Sequence, residues 1–301
     1  MRLVECVPNF SEGRDPAVVA AIRDAIAGAG GLVLDTNADP SHNRSVVTFV
    51  APPERAAEAA FAGVAEAVAR VDLTRHAGVH PRIGAADVVP FVPLPAYGTG
   101  MDDCVALAHA LGARVGRELA VPVYLYERAA TRPGRRNLAD VRRGGFEGLR
   151  DASLSDERRA PDFGPTHVHA TAGAVAVGAR PILVAFNVHI GPPDRLPVAR
   201  AVARAVRERS GGLPGVKALG LVAHGEAQVS MNLVDLDRTS LAAAFERVRA
   251  EAEALGAEVT WSELIGLMPE RALDGTTPER LRLRDFTPDR ILDRRLAQLG
   301  A

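Results

Sequence analysis

SVVTFVAPPERAAEAAFAGVAEAVARVDL, residues 45–73, decides the fold class. Val46, Val47, Thr48, Phe49 and Val50 are β-branched or aromatic, the composition of a buried strand. Pro52-Pro53-Glu54 ends the strand and opens a helix, because proline fits the first helical turn and an acidic side chain there complements the helix dipole. Ala57, Ala60, Phe61, Val64, Ala67 and Val68 recur at helical spacing and mark its apolar face. Val71-Asp72-Leu73 then reads as a short edge strand. A strand, an amphipathic helix and a strand in succession imply a sheet with helices laid on it.

Working outward, residues 2–8 form a strand broken by Phe10-Ser11-Glu12-Gly13. Asp15 caps a helix with Pro16 at its first position, an apolar face of Val18, Val19, Ile22, Ala25 and Ile26, and a stop at Gly30-Gly31. Residues 32–35 read as a strand and 37–43 as a polar loop, completing the order β-α-β-β-α-β. The second half repeats it. Residues 182–190 are β-rich, 192–209 helical up to Gly211-Gly212, and 216–222 and 228–234 are strands. Thr239 caps a helix running to Leu255, Gly256 ends it, and 258–261 closes the unit. Two split β-α-β patterns give an α/β (α+β) fold of two subdomains, 1–180 and 181–301, each a β-sheet with helices packed on one face. Between them lie a strand (87–94), a helix (102–119), a strand (121–126) and a charged, broken segment (132–160); the tail beyond Pro269 reads as short surface helices.

Composition bounds the function. The 301 residues are 47% hydrophobic with a net charge of −1, so a full core is expected and nothing favours nucleic acid. Cys6 and Cys104 are isolated and read as buried structural thiols. The only lysine, Lys217, has no supporting motif for Schiff-base chemistry. Glu5 and Asn9 interrupt any signal-like run, and no stretch has the length of a membrane span; a cytoplasmic protein is expected. Gly98-Thr99-Gly100 and Gly211-Gly212-Leu213 match neither a P-loop nor a dinucleotide fingerprint, so no nucleotide is expected.

Three polar constellations carry the chemistry. In Arg75-His76-Ala77-Gly78-Val79-His80-Pro81-Arg82-Ile83-Gly84, the glycine and proline disfavour a helix. His80 therefore sits in a turn, where an imidazole can be aimed into a cleft for acid–base work; a backbone-bonded loop histidine is the plainer alternative. The H-x-x-x-H spacing of His76 and His80 lacks the helix and the glutamate of a zinc pair, so no metal is expected. Residues 35–44 contain Asp35, Asn37, Asp39, His42 and Arg44 as candidate substrate contacts, or else an ordinary turn held by Asp39, Pro40 and Asn43. Arg44 and Arg82 are each able to grip a carboxylate through a bidentate fork. The irregular run Gly164-Pro165-Thr166-His167-Val168-His169-Ala170-Thr171-Ala172-Gly173 is a ligand wall or an inter-domain linker.

Together these fragments resemble the glutamate formiminotransferase family. The resemblance rests on residues 3–13, 43–50, 75–85, 121–126 and 160–165, and on Ala185-Phe186-Asn187-Val188 and Gln228-Val229-Ser230-Met231-Asn232-Leu233. It implies transfer of a formimino group from N-formimino-L-glutamate to N5 of tetrahydrofolate, with tetrahydrofolate as co-substrate. It also implies His80 as the acid–base residue, 164–173 as the folate segment, small-molecule substrates (formiminoglutamate and folate), and a homodimer. Because the chain stops where a cyclodeaminase domain would begin, it resembles the monofunctional type. Departures from the animal sequences are Asn37 in place of aspartate, Ala77, Val79, His167 and Ala172. Formyl transfer from 5-formyltetrahydrofolate, a metal hydrolase using His76, His80 and Asp39, and a non-catalytic folate-binding protein are the competing readings.

Overall fold

Alternation along the strands of the N-terminal half sorts side chains onto two faces of one sheet. The computed structural model describes residues 1–151, 154, 156 and 159–299, and the chain falls into two units, Met1–Arg180 and Pro181–Ala301. The first begins with one interrupted strand, β1 (Val4–Cys6) and β2 (Asn9–Phe10), then α1 (Pro16–Gly28), β3 (Leu32–Asp39), β4 (Arg44–Ala51), α2 (Pro53–Arg70) and β5 (Ala86–Pro93). Next come α3 (Met101–Glu118), β6 (Val123–Glu127), the short α4 (Leu138–Val141) and α5 (Gly145–Arg150), and β7 (Val175–Ala179). Across the sheet the order is β3, β4, the β1/β2 strand, β5, β7, β6. Neighbours up to β5 are antiparallel, whereas β5, β7 and β6 are parallel.

The split β-α-β order is present, but its fourth strand is β5. Residues 71–73 do not form the expected edge strand. The Asp72 carboxylate accepts from the Thr74 amide (2.9 Å) and hydroxyl (2.6 Å), turning the chain, and among the described residues a single backbone bond, Leu73 N–H to Thr171 O (2.8 Å), holds it to a neighbouring segment. The His80 segment is thus the connection from α2 to the fourth strand. A second correction concerns residues 37–43, read as a loop. Asn37, Ala38 and Asp39 continue β3, opposite Val46, Ser45 and Arg44, so that only 40–43 turn.

Val47, Phe49 and Ala51 of β4 and Val89 and Phe91 of β5 face α1, α2 and α3 in one core. Helix α2 buries Ala56, Ala59, Ala60, Gly63, Val64 and Ala67, a face slightly rotated from the one read in the sequence. The small side chains admit α1: a Cβ on Gly63 would lie 2.7 Å from Ile26. On the opposite face, α4 and α5 cover β5, β7 and β6 through Val88, Tyr124, Tyr126, Leu149 and Ala176. The remainder of that face, on β3, β4 and the β1/β2 strand, carries Asp35, Asn37, Asp39, Arg44, Thr48 and Glu5 among Leu32, Val46 and Val50. Asp15 caps α1 as expected, accepting from Ala17 and Val18 amides. Cys6 and Cys104 are buried and free; burial pushes the Cys104 thiol up to about 12.

The second unit comprises β8 (Val184–His189), α6 (Leu196–Val206), β9 (Val216–Ala223), β10 (Glu226–Leu233), α7 (Leu241–Ala254), β11 (Trp261–Ile265) and α8 (Leu292–Gln298). Its sheet runs β11-β8-β10-β9, all antiparallel, the order of a split β-α-β motif. Phe186, Val188, Val229 and Met231 pack under α6 and α7. Local boundaries differ from the sequence reading. The Ser240 hydroxyl caps α7, accepting from Ala243 N–H (3.1 Å), while Thr239 donates to Pro214 O (2.7 Å). The last strand is 261–265 rather than 258–261, and 192–209 is interrupted by single turns at both ends of α6. The charged segment 132–160 contains 152, 153, 155, 157 and 158, which lie outside the described residues. No helix among the described residues is long and apolar enough to cross a membrane.

Candidate active site

Backbone packing, made possible by glycine, sets the position of the His80 segment. A Cβ on Gly78 would stand 2.3 Å from His42 O, and one on Gly13 would stand 2.4 Å from Asp39 O. The β3–β4 hairpin tip thus presses directly on both neighbouring segments. Asn43, in the left-handed region (φ 47°), joins them: its Oδ1 accepts from Gly13 N–H (3.1 Å) and its Nδ2 donates to Ala77 O (3.1 Å). His76 bonds Asn43 O through Nε2 (2.9 Å). At the other end, a Cβ on Gly84 would fall 1.9 Å from Ala174 O, and Ala85 N–H donates to Ala172 O (2.9 Å). The segment is clamped at both ends.

His80 is half-buried, with its ring centroid 6.0 Å from that of His42. Its Nδ1 lies 2.8 Å from Pro81 O, which can only accept, so Nδ1 carries the proton. In the neutral ring Nε2 is then the free base. Burial, followed by the guanidinium charges of Arg44 and Arg142, lowers the imidazole well below its ordinary range. Those two arginines share one carboxylate. Arg44 Nη1 donates to Asp87 Oδ2 (2.7 Å), Arg142 Nη2 donates to the same oxygen, and Ile83 N–H donates to Asp87 Oδ1 (2.8 Å). Burial alone would raise Asp87, but the two guanidinium groups outweigh it and hold the acid below its usual range. Burial brings Arg44 down to about 10 against the pull of Asp87. Two cations and one anion leave a net positive site beside a neutral histidine.

The sequence candidates are distributed unequally around this centre. Arg44 lies opposite Asp39, Val46 opposite Asn37, and Thr48 opposite Asp35. Val47 and Phe49 face the helices, so Asp35, Asn37, Asp39 and Arg44 share the polar face. Asp39 Oδ1 accepts from Ser41 and His42 amides (2.8 and 2.9 Å) and so builds the hairpin turn. Arg44 does not present an open fork: Nε and Nη2 donate to Asn9 Oδ1 (3.2 and 2.9 Å) and Nη1 to Asp87. Arg82 is likewise occupied, by Glu147 of α5, at 2.8 and 3.3 Å. The sequence pattern does not single out Arg142, Asp87, Asn9 or Glu147 as site residues.

The run 164–173 extends from α3 to the His80 segment. Gly164 (φ 86°) sits where a Cβ would be 2.6 Å from Val121 O. At the other end, His169 and Gly173 exchange backbone bonds of 3.0 Å, and His169 Nδ1 accepts from Ala172 N–H (3.0 Å). Gly173 (φ 71°) packs on Ile83 O, where a Cβ would come within 2.2 Å. Thr166, His167 and Ala170 are exposed, Pro165, Val168 and Thr171 half-buried, and Ala172 buried.

The sequence comparisons agree along the chain. A family model described as the formiminotransferase domain, N-terminal subdomain, matches residues 3–180, and one described as the formiminotransferase domain matches 185–277. A glutamate formimidoyltransferase of Thermoplasma acidophilum is 46% identical, with 98% of each chain covered. One of Streptococcus pyogenes serotype M1 is 44% identical, with 95% of each covered. The formimidoyltransferase-cyclodeaminase of Rattus norvegicus is 42% identical over 90% of this chain and 51% of its own length. With both family models spanning the two units in order and identity sustained over nearly the full length of two relatives, the chain belongs to the formiminotransferase family.

Proposed function

We propose that this chain is a glutamate formimidoyltransferase, moving the formimino group of N-formimino-L-glutamate to N5 of tetrahydrofolate and releasing L-glutamate. The observation that carries the reading is a neutral His80 with Nδ1 tied to Pro81 and Nε2 directed to no protein partner among the described residues, beside the net positive Arg44–Asp87–Arg142 group. N5 attacks the amidine carbon, forming the new C–N bond of a tetrahedral intermediate. His80 Nε2 takes the proton from N5 and returns it to the glutamate nitrogen, whose bond to carbon then breaks. No net proton is consumed. Transfer of this kind contributes about 10²–10⁴-fold, and holding two substrates together contributes more, on the order of 7 kcal/mol or above.

The positive pair draws the substrate carboxylates, and Arg82 takes one only by exchanging Glu147. Because that pair is more than half exposed on the glutamate side, such an exchange costs little. Asp35, Asn37 and His42 border the formiminoglutamate side, and residues 164–173 border the folate. The same reading makes tetrahydrofolate a co-substrate, needs neither metal nor nucleotide, and expects a cytoplasmic homodimer in histidine degradation. Turnover of formiminoglutamate with tetrahydrofolate by the parent and by His80→Ala tests it. A 10²–10⁴-fold fall in kcat with folate affinity retained is expected. Equal rates remove His80 from the mechanism. Turnover only with 5-formyltetrahydrofolate and glutamate replaces formimino by formyl transfer.

A further inference from the structure

Two guanidinium charges act on His80, those of Arg44 and Arg142, and the protein engages them differently. Arg44 has all three nitrogens bonded internally, Nε and Nη2 to Asn9 Oδ1 and Nη1 to Asp87 Oδ2. Arg142 bonds the same Asp87 oxygen through Nη2 alone. Its Nε is enclosed, so a ligand meets the Nη end. There Nη1 has no hydrogen-bond partner among the described residues and is not one of the enclosed atoms. His80 Nε2 is likewise unbonded and not enclosed. Arg82 has both Nη atoms on Glu147, and its charge is felt at His76.

The fold fixes the Arg142 arm from both sides. Asn137 caps α4, accepting from Ala139 N–H (3.3 Å), and Leu138 and Val141 pack against the cluster of Tyr124 and Tyr126. Arg142 closes this helix with its N–H on Leu138 O (3.0 Å). Gly144 (φ 91°) and Gly145 (φ 64°) then turn the chain, and Phe146 N–H donates to Arg82 O (2.9 Å). A purely structural ion pair on Asp87 needs one arginine. Two leave one positive charge uncompensated within the group, and an arginine with an open terminal nitrogen suits a carboxylate.

The chemistry of the donor says which carboxylate this is. In the transfer proposed above, His80 Nε2 returns a proton to the glutamate nitrogen. That nitrogen and the α-carboxylate are bonded to the same carbon, whereas the γ-carboxylate is separated from it by two methylenes. A cation beside His80 therefore meets the α-carboxylate. We propose that Arg142 binds the α-carboxylate of N-formimino-L-glutamate through Nη1 while Asp87 holds its Nη2, and so restricts the donor to α-amino acids. The assignment rests on the function proposed above. It leaves Arg44 bonded to Asn9 and Asp87, and Arg82 to the γ-carboxylate.

Three donors separate the carboxylates. Formiminoglutamate carries both, N-formiminoglycine only the α, and 4-(formimino)aminobutyrate only the γ. kcat/KM of each with tetrahydrofolate is measured in the parent and in Arg142→Gln at about pH 8, above the ordinary histidine range. The readout is the ratio of formiminoglutamate to 4-(formimino)aminobutyrate, because any effect of Arg142 through His80 or Asp87 falls on every donor and cancels. Arg142→Gln is expected to lower this ratio about ten- to a hundredfold and to weaken formiminoglycine as much as formiminoglutamate. Where an analogue is not turned over, its inhibition constant against formiminoglutamate takes the place of kcat/KM. If R142Q does not fold, Arg142→Lys decides: its shorter head keeps a cation near Asp87 but cannot also reach the substrate, so the ratio is expected to fall in the same direction. An unchanged ratio overturns this inference and leaves the proposed function standing. A ratio that rises gives Arg142 to the γ-carboxylate and makes the α assignment wrong. A parent that does not turn over formiminoglutamate overturns both.

Discussion

His80 owes its protonation state to residues far from it in sequence. Burial is the largest influence, but Arg142 reaches it only because Asp87, fifty-five positions away, holds that arginine beside Arg44. Imidazole in this setting is deprotonated below the ordinary histidine range, so the acid limb of kcat/KM lies at lower pH than for a free histidine. Arg142→Gln removes one of the two cations and is expected to move that limb to higher pH, while Arg44 and Asp87 still pair. A pH profile of kcat/KM for the two proteins checks it; a limb that stays in place or moves to lower pH rules out this control. His80 itself was legible from its glycine- and proline-bounded turn. Arg142 was not, because it lies in a segment without periodicity and its role exists only through the fold.

Two elements show how close backbone contact and burial act on stability and position. Gly78 packs on His42 O at a distance no Cβ tolerates. Gly78→Ala is expected to push the His80 segment off the hairpin, costing about 1–3 kcal/mol of stability and at least tenfold in kcat. Chemical denaturation and steady-state kinetics measure the two, and unchanged kcat would show that the segment tolerates displacement. Strand β1 places Glu5 in the sheet, where burial, opposed by Arg180, raises its carboxyl from 4.5 to about 7. The folded state holds the proton more tightly than the unfolded chain, so this contribution is full below pH 4.5 and falls by about 3 kcal/mol as the pH rises past 7. Glu5→Gln abolishes that fall: its advantage over the parent in urea unfolding is expected to be small at pH 5 and to reach about 2–3 kcal/mol at pH 8. An advantage that does not grow with pH contradicts a buried, proton-holding Glu5. At this scale the sequence reading found the helices and most strands from their periodicity and caps. Two apolar residues around an aspartate mimic alternation at 71–73, whereas the Asp72–Thr74 turn ends any pairing there and the fourth strand is β5. The end of β3 is likewise hidden, because Asp35, Asn37 and Asp39 alternate on a polar face and leave no apolar stripe to read.

At the scale of the whole chain, the split β-α-β order occurs twice without an evident residue repeat, β5 and β11 each supplying the fourth strand. What the two copies share is the pattern of faces: helices over one side of the sheet and polar side chains on part of the other. Strand order follows from chain connectivity and layer packing rather than from particular residues, so it survives where sequence similarity does not. The second copy closes its own core, with β8, β10, β9 and β11 packed by α6 and α7. It needs no strand from the first unit to complete its sheet. A fragment covering 181–301 is therefore expected to fold alone. Its far-UV circular dichroism should show mixed helix and strand, and its urea unfolding should be a single cooperative step with a stability of about 5–10 kcal/mol. A gradual transition or a molten fragment would show that the second core depends on the first. Because Trp261 lies in this fragment, its fluorescence follows the unfolding without a label, and Trp261→Phe separates that signal from the backbone transition.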